Sequence, residues 1–212
     1  MPFTDRLDAG RRLAEALRPL ATEHPVVLAL PRGGVPVGWV VARRLGAPLD
    51  VLVARKLGAP GQPELAIGAI AAGAVYLDRD VIALLGVSDR YVEAVKAEEA
   101  HELERREREY RRGRPPVAVA GRTVILVDDG LATGATARAA IASLRGREAR
   151  RVVFAVPVGA PESVAALRPD VDELVCLETP SRFRAVSLAY DDFTPTTDAE
   201  VREYLETAES PA

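Results

Sequence analysis

The sequence predicts an α/β fold with three layers, in which a doubly wound and mostly parallel sheet lies between two layers of helices. Two observations carry this prediction. Short runs that are apolar at every position alternate with helical segments, and such strands are typical of parallel sheets covered on both faces. The chain has 212 residues, 48% of them hydrophobic, which suits a single domain, residues 1–212, with a sizeable core.

The first elements follow from capping residues and apolar runs. Thr4 can cap a helix that continues to about residue 20, because leucines recur there at helical spacing. Residues 26–30 form a continuous apolar run and predict a buried strand. Residues 35–45 are predicted to be helical, and Gly46 is predicted to end that helix.

The middle of the chain predicts a strand, a loop, a hairpin and a long helix. The strand covers residues 49–54, whereas residues 58–63 are too rich in glycine and proline for regular structure. Residues 65–70 and 74–77 are separated by a short turn with a glycine and are predicted to pair as a hairpin. Residues 88–112 form a charged helix with few apolar positions, so most of it is expected to face solvent or a partner.

The second half of the chain continues the alternation of strands and helices. The predicted strands are 123–127, 151–156 and 171–177, and the predicted helices are 135–144, 162–167 and 198–207. The core is expected to span about residues 22–177. Residues 178–195, together with the terminal helices, are expected to form a small addition to this core.

Composition limits the classes of partner. The net charge is −3, which gives no broad attraction to nucleic acid or to an anionic membrane but leaves room for a local basic patch. No stretch approaches the length of a membrane span, and the first residues lack the apolar core of a signal peptide. Cys176 is the only cysteine, so an internal disulfide is excluded. A cytoplasmic location is therefore expected.

A loop with two acidic residues joins the predicted strand 123–127 to the next helix. Asp128 and Asp129 end the strand, and a turn of mostly small residues leads into the helix. Ligands collect at the carboxyl ends of parallel strands, and a helix N-terminus there favours an anion. Carboxylates beside a phosphate are expected to face sugar hydroxyls or a metal ion. The pattern indicates a ribose 5-phosphate site, and the alternative is a capped turn without a ligand.

The full string of residues 124–136, VILVDDGLATGAT, resembles the signature with which type I phosphoribosyltransferases bind 5-phosphoribosyl-1-pyrophosphate (PRPP). It has neither the spacing of a dinucleotide fingerprint nor the Gly-Lys-Thr of a P-loop. The resemblance implies that Asp128 and Asp129 face the ribose hydroxyls and Mg²⁺, directly or indirectly. It also implies that five residues hold the 5-phosphate: Ala132, Thr133, Gly134, Ala135 and Thr136.

Two further segments can bind the pyrophosphate of PRPP. Arg32 precedes Gly33 and Gly34 at a strand end, where backbone amides and a guanidinium can approach an anion. This segment resembles the pyrophosphate loop of the same family, which implies a non-proline cis peptide at Arg32 or Gly33. Arg55 and Lys56 resemble the Arg-Lys pair that precedes a mobile loop in adenine-type members. The alternatives are a turn with a surface arginine and a charged strand end.

The residues that would recognise the acceptor are predicted from a fainter resemblance. Residues 179–193 resemble the hood strand of hypoxanthine-guanine enzymes, which implies that Phe183 stacks on a base while Tyr190 and Asp191 or Asp192 contact it. The alternative is that the aromatic residues only pack against the sheet. Ala132 occupies the position where those enzymes carry an aspartate, so the general base stays unidentified.

The sequence therefore predicts a phosphoribosyltransferase that moves the 5-phosphoribosyl group of PRPP to a nitrogenous base, releases pyrophosphate and depends on Mg²⁺. Its predicted catalytic residues are Arg32, Lys56, Asp128 and Asp129. The alternative is a regulatory protein that senses PRPP with little or no transfer, and the presence of Arg32 and Lys56 favours the enzyme. Family members are commonly dimers, so a homodimer is expected, with helix 88–112 as a possible contact.

Overall fold

The computed structural model of the protein describes residues 2–208, apart from the side chain of Glu64. The strands are β1 (Val26–Ala29), β2 (Leu49–Val51), β3 (Ala54–Ala59), β4 (Gln62–Ala71), β5 (Ala74–Leu77), β6 (Thr123–Val127), β7 (Arg151–Val158) and β8 (Glu173–Glu178). The helices are α1 (Arg6–Leu17), α2 (Gly34–Leu45), α3 (Arg79–Leu85), α4 (Asp89–Arg111), α5 (Ala135–Gly146), α6 (Pro161–Leu167) and α7 (Asp198–Ala208). Short 3-10 turns occupy Arg18–Glu23, Arg168–Asp170 and Val186–Ala189.

A parallel sheet of five strands forms the centre of the molecule, in the order β2-β1-β6-β7-β8. Leu28 of β1 lies beside Leu126 of β6, which lies beside Phe154 of β7. Successive residues of a strand face opposite sides. Val27 and Ala29 therefore pack with α1 and α2, whereas Leu28 packs with α5 and α6. These two layers of helices confirm the predicted three-layer α/β fold.

A second, antiparallel sheet consists of β3, β4 and β5. It confirms the predicted hairpin of β4 and β5, but the prediction that residues 58–63 lack regular structure is wrong. Only Pro60 and Gly61 form a turn, and Gly61 has a φ of 70°, as a tight hairpin turn requires. The strands continue up to this turn because Leu57 and Ala59 are buried in the main core.

The start of the chain also differs from the prediction. The cap of α1 is Asp5 and not Thr4, because the Oδ1 of Asp5 accepts a hydrogen bond from the backbone N of Asp8 at 2.6 Å. The helix ends at Leu17, and the chain continues as a 3-10 turn. Helix α3 was not predicted; Asp78 caps it by accepting a hydrogen bond from the backbone N of Val81.

The long charged helix is present as α4 and is anchored inside the chain at its C-terminal end. The hydroxyl of Tyr110, a buried residue, donates to Asp198 of α7 at 2.6 Å. Arg111 pairs with Asp50 of β2 at 3.2 Å. Glu99, in the middle of the helix, pairs with Arg55 of β3 at 2.6 Å, so the helix connects the second sheet to the central sheet. None of the helices formed by residues 2–208 combines the length and the apolar character that crossing a bilayer requires.

Residues from the two ends of the described chain pack together beside the carboxyl end of β6. The backbone N of Phe3 donates to the carbonyl oxygen of Ala189 at 2.7 Å. The rings of Phe3 and Tyr190 lie 5.5 Å apart, and the ring of Phe193 lies 5.0 Å from that of Tyr190. Residues 178–195, where the addition to the core was predicted, contain the last residue of β8, the Val186–Ala189 turn and otherwise irregular backbone. The small aromatic cluster therefore lies next to the acidic loop.

Candidate active site

The segment predicted to hold a phosphate lies where β6 turns into α5. Strand β7 supports it, because the backbone N of Leu131 donates to the carbonyl oxygen of Val158 at 2.9 Å. Gly134 has a φ of 81° and starts α5, a position that favours glycine. Ala132 and Thr133 are exposed. The segment 130–136, hereafter the cradle, therefore presents the N-terminus of a 12-residue helix at the carboxyl end of the sheet, where an anion is favoured.

The two predicted substrate loops are in direct contact. The loop after β1 approaches the acidic pair so closely that a Cβ atom on Gly33 would lie 1.9 Å from the Oδ2 of Asp129. A Cβ atom on Gly34 would lie 2.8 Å from the carbonyl oxygen of Val127. Glycine is required at Gly34, because the blocking atoms there belong to the backbone, whereas at Gly33 the carboxylate of Asp129 would have to shift to admit a Cβ atom.

Asp128 and Asp129 lie side by side with limited access to solvent. The backbone N of Asp129 donates to the Oδ1 of Asp128 at 2.8 Å. Burial raises the pKa of Asp128 well above its ordinary value, and the charge of Asp129 adds to the rise. Burial also raises the pKa of Asp129, while the guanidinium of Arg6 opposes that rise. A bound cation or a set of hydroxyl donors would relieve the repulsion within this pair.

Arg6 of α1 is the direct partner of Asp129. Its Nε and Nη2 both lie 2.9 Å from the Oδ2 of Asp129, and its Nη1 donates to the carbonyl oxygen of Thr194 at 2.8 Å. The guanidinium carbon lies 3.8 Å from the ring centroid of Phe193. The hydroxyl of Tyr190 donates to the carbonyl oxygen of Asp129 at 2.6 Å. Arg6, which precedes the core in the chain, and Tyr190, which follows it, therefore both hold Asp129 in place.

Replacing Arg6 by alanine is expected to lower the free energy of unfolding by about 3 kcal/mol, because it leaves a buried carboxylate without its counter-ion. Chemical denaturation measures this change. Adding Asp129→Asn to the Arg6→Ala variant should restore part of the loss. Arg44→Ala is the control, since Arg44 and Glu15 form an exposed pair at 3.6 Å whose loss should cost less than about 0.5 kcal/mol. Equal effects of the two alanine variants would contradict the assignment.

A cleft of about 510 Å³ opens between the β3–β4 hairpin, α4 and the start of α5. Arg55, Lys56 and Thr136 all line it, so the structure brings together residues predicted for the two ends of PRPP. The Nε of Arg55 donates to Glu99 of α4 at 2.6 Å, and this ion pair compensates its charge. Lys56 is exposed at the cleft. Arg106, which pairs with Glu102 at 2.7 Å, and Glu98 also line it. We call this space the cation cleft, because its lining has more basic than acidic side chains.

The peptide bond between Pro31 and Arg32 is cis, which confirms the implication drawn from the resemblance. Pro31 lines the cation cleft, and the side chain of Arg32 is exposed. The loop after β1 thus lines the cation cleft at Pro31 and contacts the acidic loop at Gly33 and Gly34.

The residues predicted to contact the acceptor fall into different environments. Phe183 is half-buried and lines a pocket of about 330 Å³. Tyr190 is buried, so the prediction that it contacts the acceptor is not supported by its position; its ring and hydroxyl stabilise the acidic loop instead. Asp191 is exposed. Asp192 is also exposed, and its Oδ1 accepts hydrogen bonds from both the backbone N and the hydroxyl of Thr194.

Three residues of the site were not predicted from the sequence: Arg6, Glu99 and Arg106. Arg6 lies on the same buried face of α1 as Leu13 and Leu17. An arginine in an apolar helix face indicates a buried anionic partner, so the sequence did contain a signal for it. Glu99 and Arg106 lie in a helix with many charges, where no pattern distinguishes them.

Most of this chain is similar to known phosphoribosyl transferase sequences. Residues 4–192 match the phosphoribosyl transferase domain family. Rv0571c, a provisionally named phosphoribosyl transferase of Mycobacterium tuberculosis, is 49% identical over 207 residues. The match covers 97% of this chain and 47% of that protein, so the chain spans about half the length of the curated relatives it matches.

Solved structures extend the comparison. TT1426 from Thermus thermophilus is 47% identical, with a TM-score of 0.84 over 99% of this chain and 100% of that chain. A hypothetical protein from Neisseria gonorrhoeae with bound ppGpp has a TM-score of 0.55 at 14% identity, over 99% of this chain and 97% of that chain, which shows the fold alone. The match over residues 4–192 and the identity to the mycobacterial relatives show that this chain belongs to the phosphoribosyl transferase domain family.

Proposed function

We propose that this protein transfers the 5-phosphoribosyl group of PRPP to a nitrogenous base and releases pyrophosphate in a reaction that depends on Mg²⁺. The observation that carries the proposal is the contact of Gly33 and Gly34 with the acidic loop, which leaves no room for a side chain at Gly34. The contact brings the acidic pair, which suits the two hydroxyls of a diol, next to the loop of Arg32, which suits an anion. Both lie at one edge of the central sheet. PRPP contains both groups, and membership of the family supports it as the donor.

The 5-phosphate would bind at the N-terminus of α5. The backbone N of Arg138 donates to the carbonyl oxygen of Gly134, so the N–H groups before it in the first turn have no acceptor within the helix. These donors and the helix dipole favour a phosphate. The hydroxyls of Thr133 and Thr136 add donors, and Thr136 also lines the cation cleft.

The ribose hydroxyls would donate to Asp128 and Asp129. Within residues 2–208, no group of three or more metal-ligating side chains converges on one point. Mg²⁺ would therefore be held largely by oxygens of the substrate, with the acidic pair as the protein carboxylates beside them. The raised pKa values of both aspartates fit this arrangement, because a cation that arrives with the substrate relieves their repulsion. Bound there, Mg²⁺ would neutralise charge on the departing pyrophosphate.

The pyrophosphate would bind to Arg32 and to the cation cleft. When the bond between C1 and oxygen breaks, its electron pair moves to the pyrophosphate, and cations stabilise the charge that develops. Lys56 is exposed and can meet this charge directly. Arg55 would exchange its carboxylate partner, Glu99, for an oxygen of the pyrophosphate.

Replacing Lys56 by alanine is expected to slow pyrophosphate release by about 100-fold, with a smaller effect on PRPP affinity, because the lysine acts mainly on charge that develops during bond cleavage. A coupled assay for pyrophosphate measures the rate, and calorimetry measures the affinity. Lys96→Ala is a matched control, since Lys96 is the only other lysine and pairs with Glu93 at 2.9 Å. Equal rates for the two variants would remove Lys56 from this role.

A second candidate function is the sensing of PRPP without transfer. The ion pair between Arg55 and Glu99 favours it, because a compensated cation is a weaker electrostatic catalyst. Calorimetry with PRPP and Mg²⁺, combined with a pyrophosphate assay over a panel of bases, separates the two functions. Binding with release supports the transferase, binding without release supports the sensor, and the absence of binding overturns both.

A further inference from the structure

A pocket of about 330 Å³, hereafter the hood pocket, lies at the carboxyl ends of β7 and β8. Val158 and Glu178, the last residues of these strands, both line it. The segment after β8 lines its other side and continues to Val186, which touches the cradle: a Cβ atom on Gly130 would lie 2.4 Å from the Cγ1 of Val186. The hood pocket is therefore next to the place where the ribose is proposed to bind.

The hood pocket and the cation cleft flank β6 on opposite sides. The sheet order is β2-β1-β6-β7-β8. The cation cleft reaches from the residues that follow β1 and β2 to Thr136 after β6, whereas the hood pocket lies at the ends of β7 and β8. A nucleophile approaches a carbon atom from the side opposite to the leaving group. With pyrophosphate in the cation cleft, the acceptor would approach from the hood pocket. This step rests on the proposed function, because it takes PRPP as the donor.

The lining of the hood pocket combines apolar surface with an excess of positive charge. Phe183 offers a half-buried ring, and Leu188 is 68% exposed although it is a large apolar residue. Arg182 and Arg184 are exposed on either side of Phe183 in the chain, and among the lining residues that belong to 2–208 Glu178 is the only acid. Two guanidinium groups beside exposed apolar side chains suit a ligand with an apolar ring face and an anionic edge.

We propose that the acceptor is a planar nitrogen heterocycle that carries a carboxylate. Its ring packs against Phe183 and Leu188, and its carboxylate binds Arg182 and Arg184. The lone pair of a ring nitrogen forms the new bond to C1 of the ribose, while the bond from C1 to the pyrophosphate oxygen breaks and its electron pair leaves with the pyrophosphate. A ring nitrogen with a free lone pair has no proton to lose, so this step needs no general base.

Matched pairs of heterocycles test the proposal. Pyridine carboxylates with the acid group at ring position 2, 3 or 4 are each compared with the corresponding carboxamide, in the presence of PRPP and Mg²⁺. The members of a pair share ring and shape and differ in charge. We expect kcat/KM for pyrophosphate release to be at least about 10-fold higher with the best carboxylate than with its amide, the size expected of a charge-assisted hydrogen bond.

The variant Arg182→Gln/Arg184→Gln should lose this preference through a higher KM for the carboxylate, while its affinity for PRPP stays within about twofold of wild type. The control is Arg44→Gln/Arg112→Gln, which removes two arginines whose side chains are 56% and 59% exposed in other parts of the surface. This control should keep the preference. Both variants change exposed residues only, and a thermal melt verifies that they fold.

Three results would overturn the proposal: an amide that is used as well as its carboxylate, a preference that survives in Arg182→Gln/Arg184→Gln, or a panel in which no carboxylate releases pyrophosphate. Failure of the proposed function looks different: either PRPP shows no binding heat, or PRPP binds and no base of the panel, charged or neutral, releases pyrophosphate. PRPP binding combined with transfer to a neutral base would remove the acidic acceptor and leave the transferase intact.

Discussion

Asp128→Asn is expected to abolish detectable binding of PRPP with Mg²⁺ and, at the same time, to make the protein more stable at neutral pH. Burial and the charge of Asp129 raise the pKa of Asp128 in the native state. A carboxyl group whose pKa is raised on folding destabilises the native state as pH rises from its unfolded pKa through its folded pKa, because the native protein must release a proton that it binds more tightly. Asparagine removes this cost at every pH above that window.

The expected gain is of the order of 1 kcal/mol, or about 2–4 °C in Tm for a chain of this length. Asparagine keeps an oxygen that can accept the hydrogen bond from the backbone N of Asp129. Calorimetric melts at pH 5 and pH 8 measure the stability, and the difference from wild type should be larger at pH 8. Glu200→Gln is the control, since hydrogen bonds from Thr197 lower the pKa of Glu200 and its neutralisation should not stabilise the protein. A less stable Asp128→Asn variant that still binds PRPP would contradict both parts.

Gly34→Ala is expected to destabilise the protein by about 2–3 kcal/mol and to prevent PRPP binding. A Cβ atom there would lie 2.8 Å from the carbonyl oxygen of Val127 and 2.9 Å from the Cα of Asp128. Both neighbours are backbone atoms of the central sheet and its acidic loop, so they cannot move aside as a side chain could. Gly34 is the first residue of α2, where alanine would otherwise be favoured, so helix propensity opposes the expected loss.

Gly146→Ala is the matched control, because a Cβ atom on Gly146, the last residue of α5, would meet nothing within 4 Å. It should be neutral or stabilise the protein by up to about 1 kcal/mol. Chemical denaturation and calorimetry with PRPP compare the two variants. Wild-type stability and PRPP affinity in Gly34→Ala would show that the two loops do not need this close approach.

The central sheet could be predicted because its strands are apolar on both faces. Every residue of Thr123–Val127 is buried, so the run in the sequence and the strand coincide, and two aspartates mark its end. The turn that leads into α5 could also be predicted, because small residues follow the two aspartates. The prediction of a loop at residues 58–63 was wrong, because glycines and prolines indicate a turn but do not show how few residues the turn needs.

Contacts between distant segments could not be predicted from local patterns. Arg6 and Asp129 are 123 positions apart, and no spacing rule connects them. The aromatic residues after β8 were predicted as a group, yet the sequence did not distinguish Phe183, which lines a pocket, from Tyr190, which is buried. That difference depends on packing with Phe3 at the other end of the described chain.

Helix α4 is fixed at both of its ends, which limits how the cation cleft can change shape. Near its start, the hydroxyl of Tyr91 donates to the carbonyl oxygen of Gly58 in the β3–β4 hairpin at 3.1 Å, and near its end Arg111 is bound to Asp50. The helix therefore links the two sheets, and a movement of the hairpin away from α4 would break the hydrogen bond between Tyr91 and Gly58. Asp50 does not line the cleft, yet it holds the end of α4 through Arg111 and so helps to set the width of the cleft.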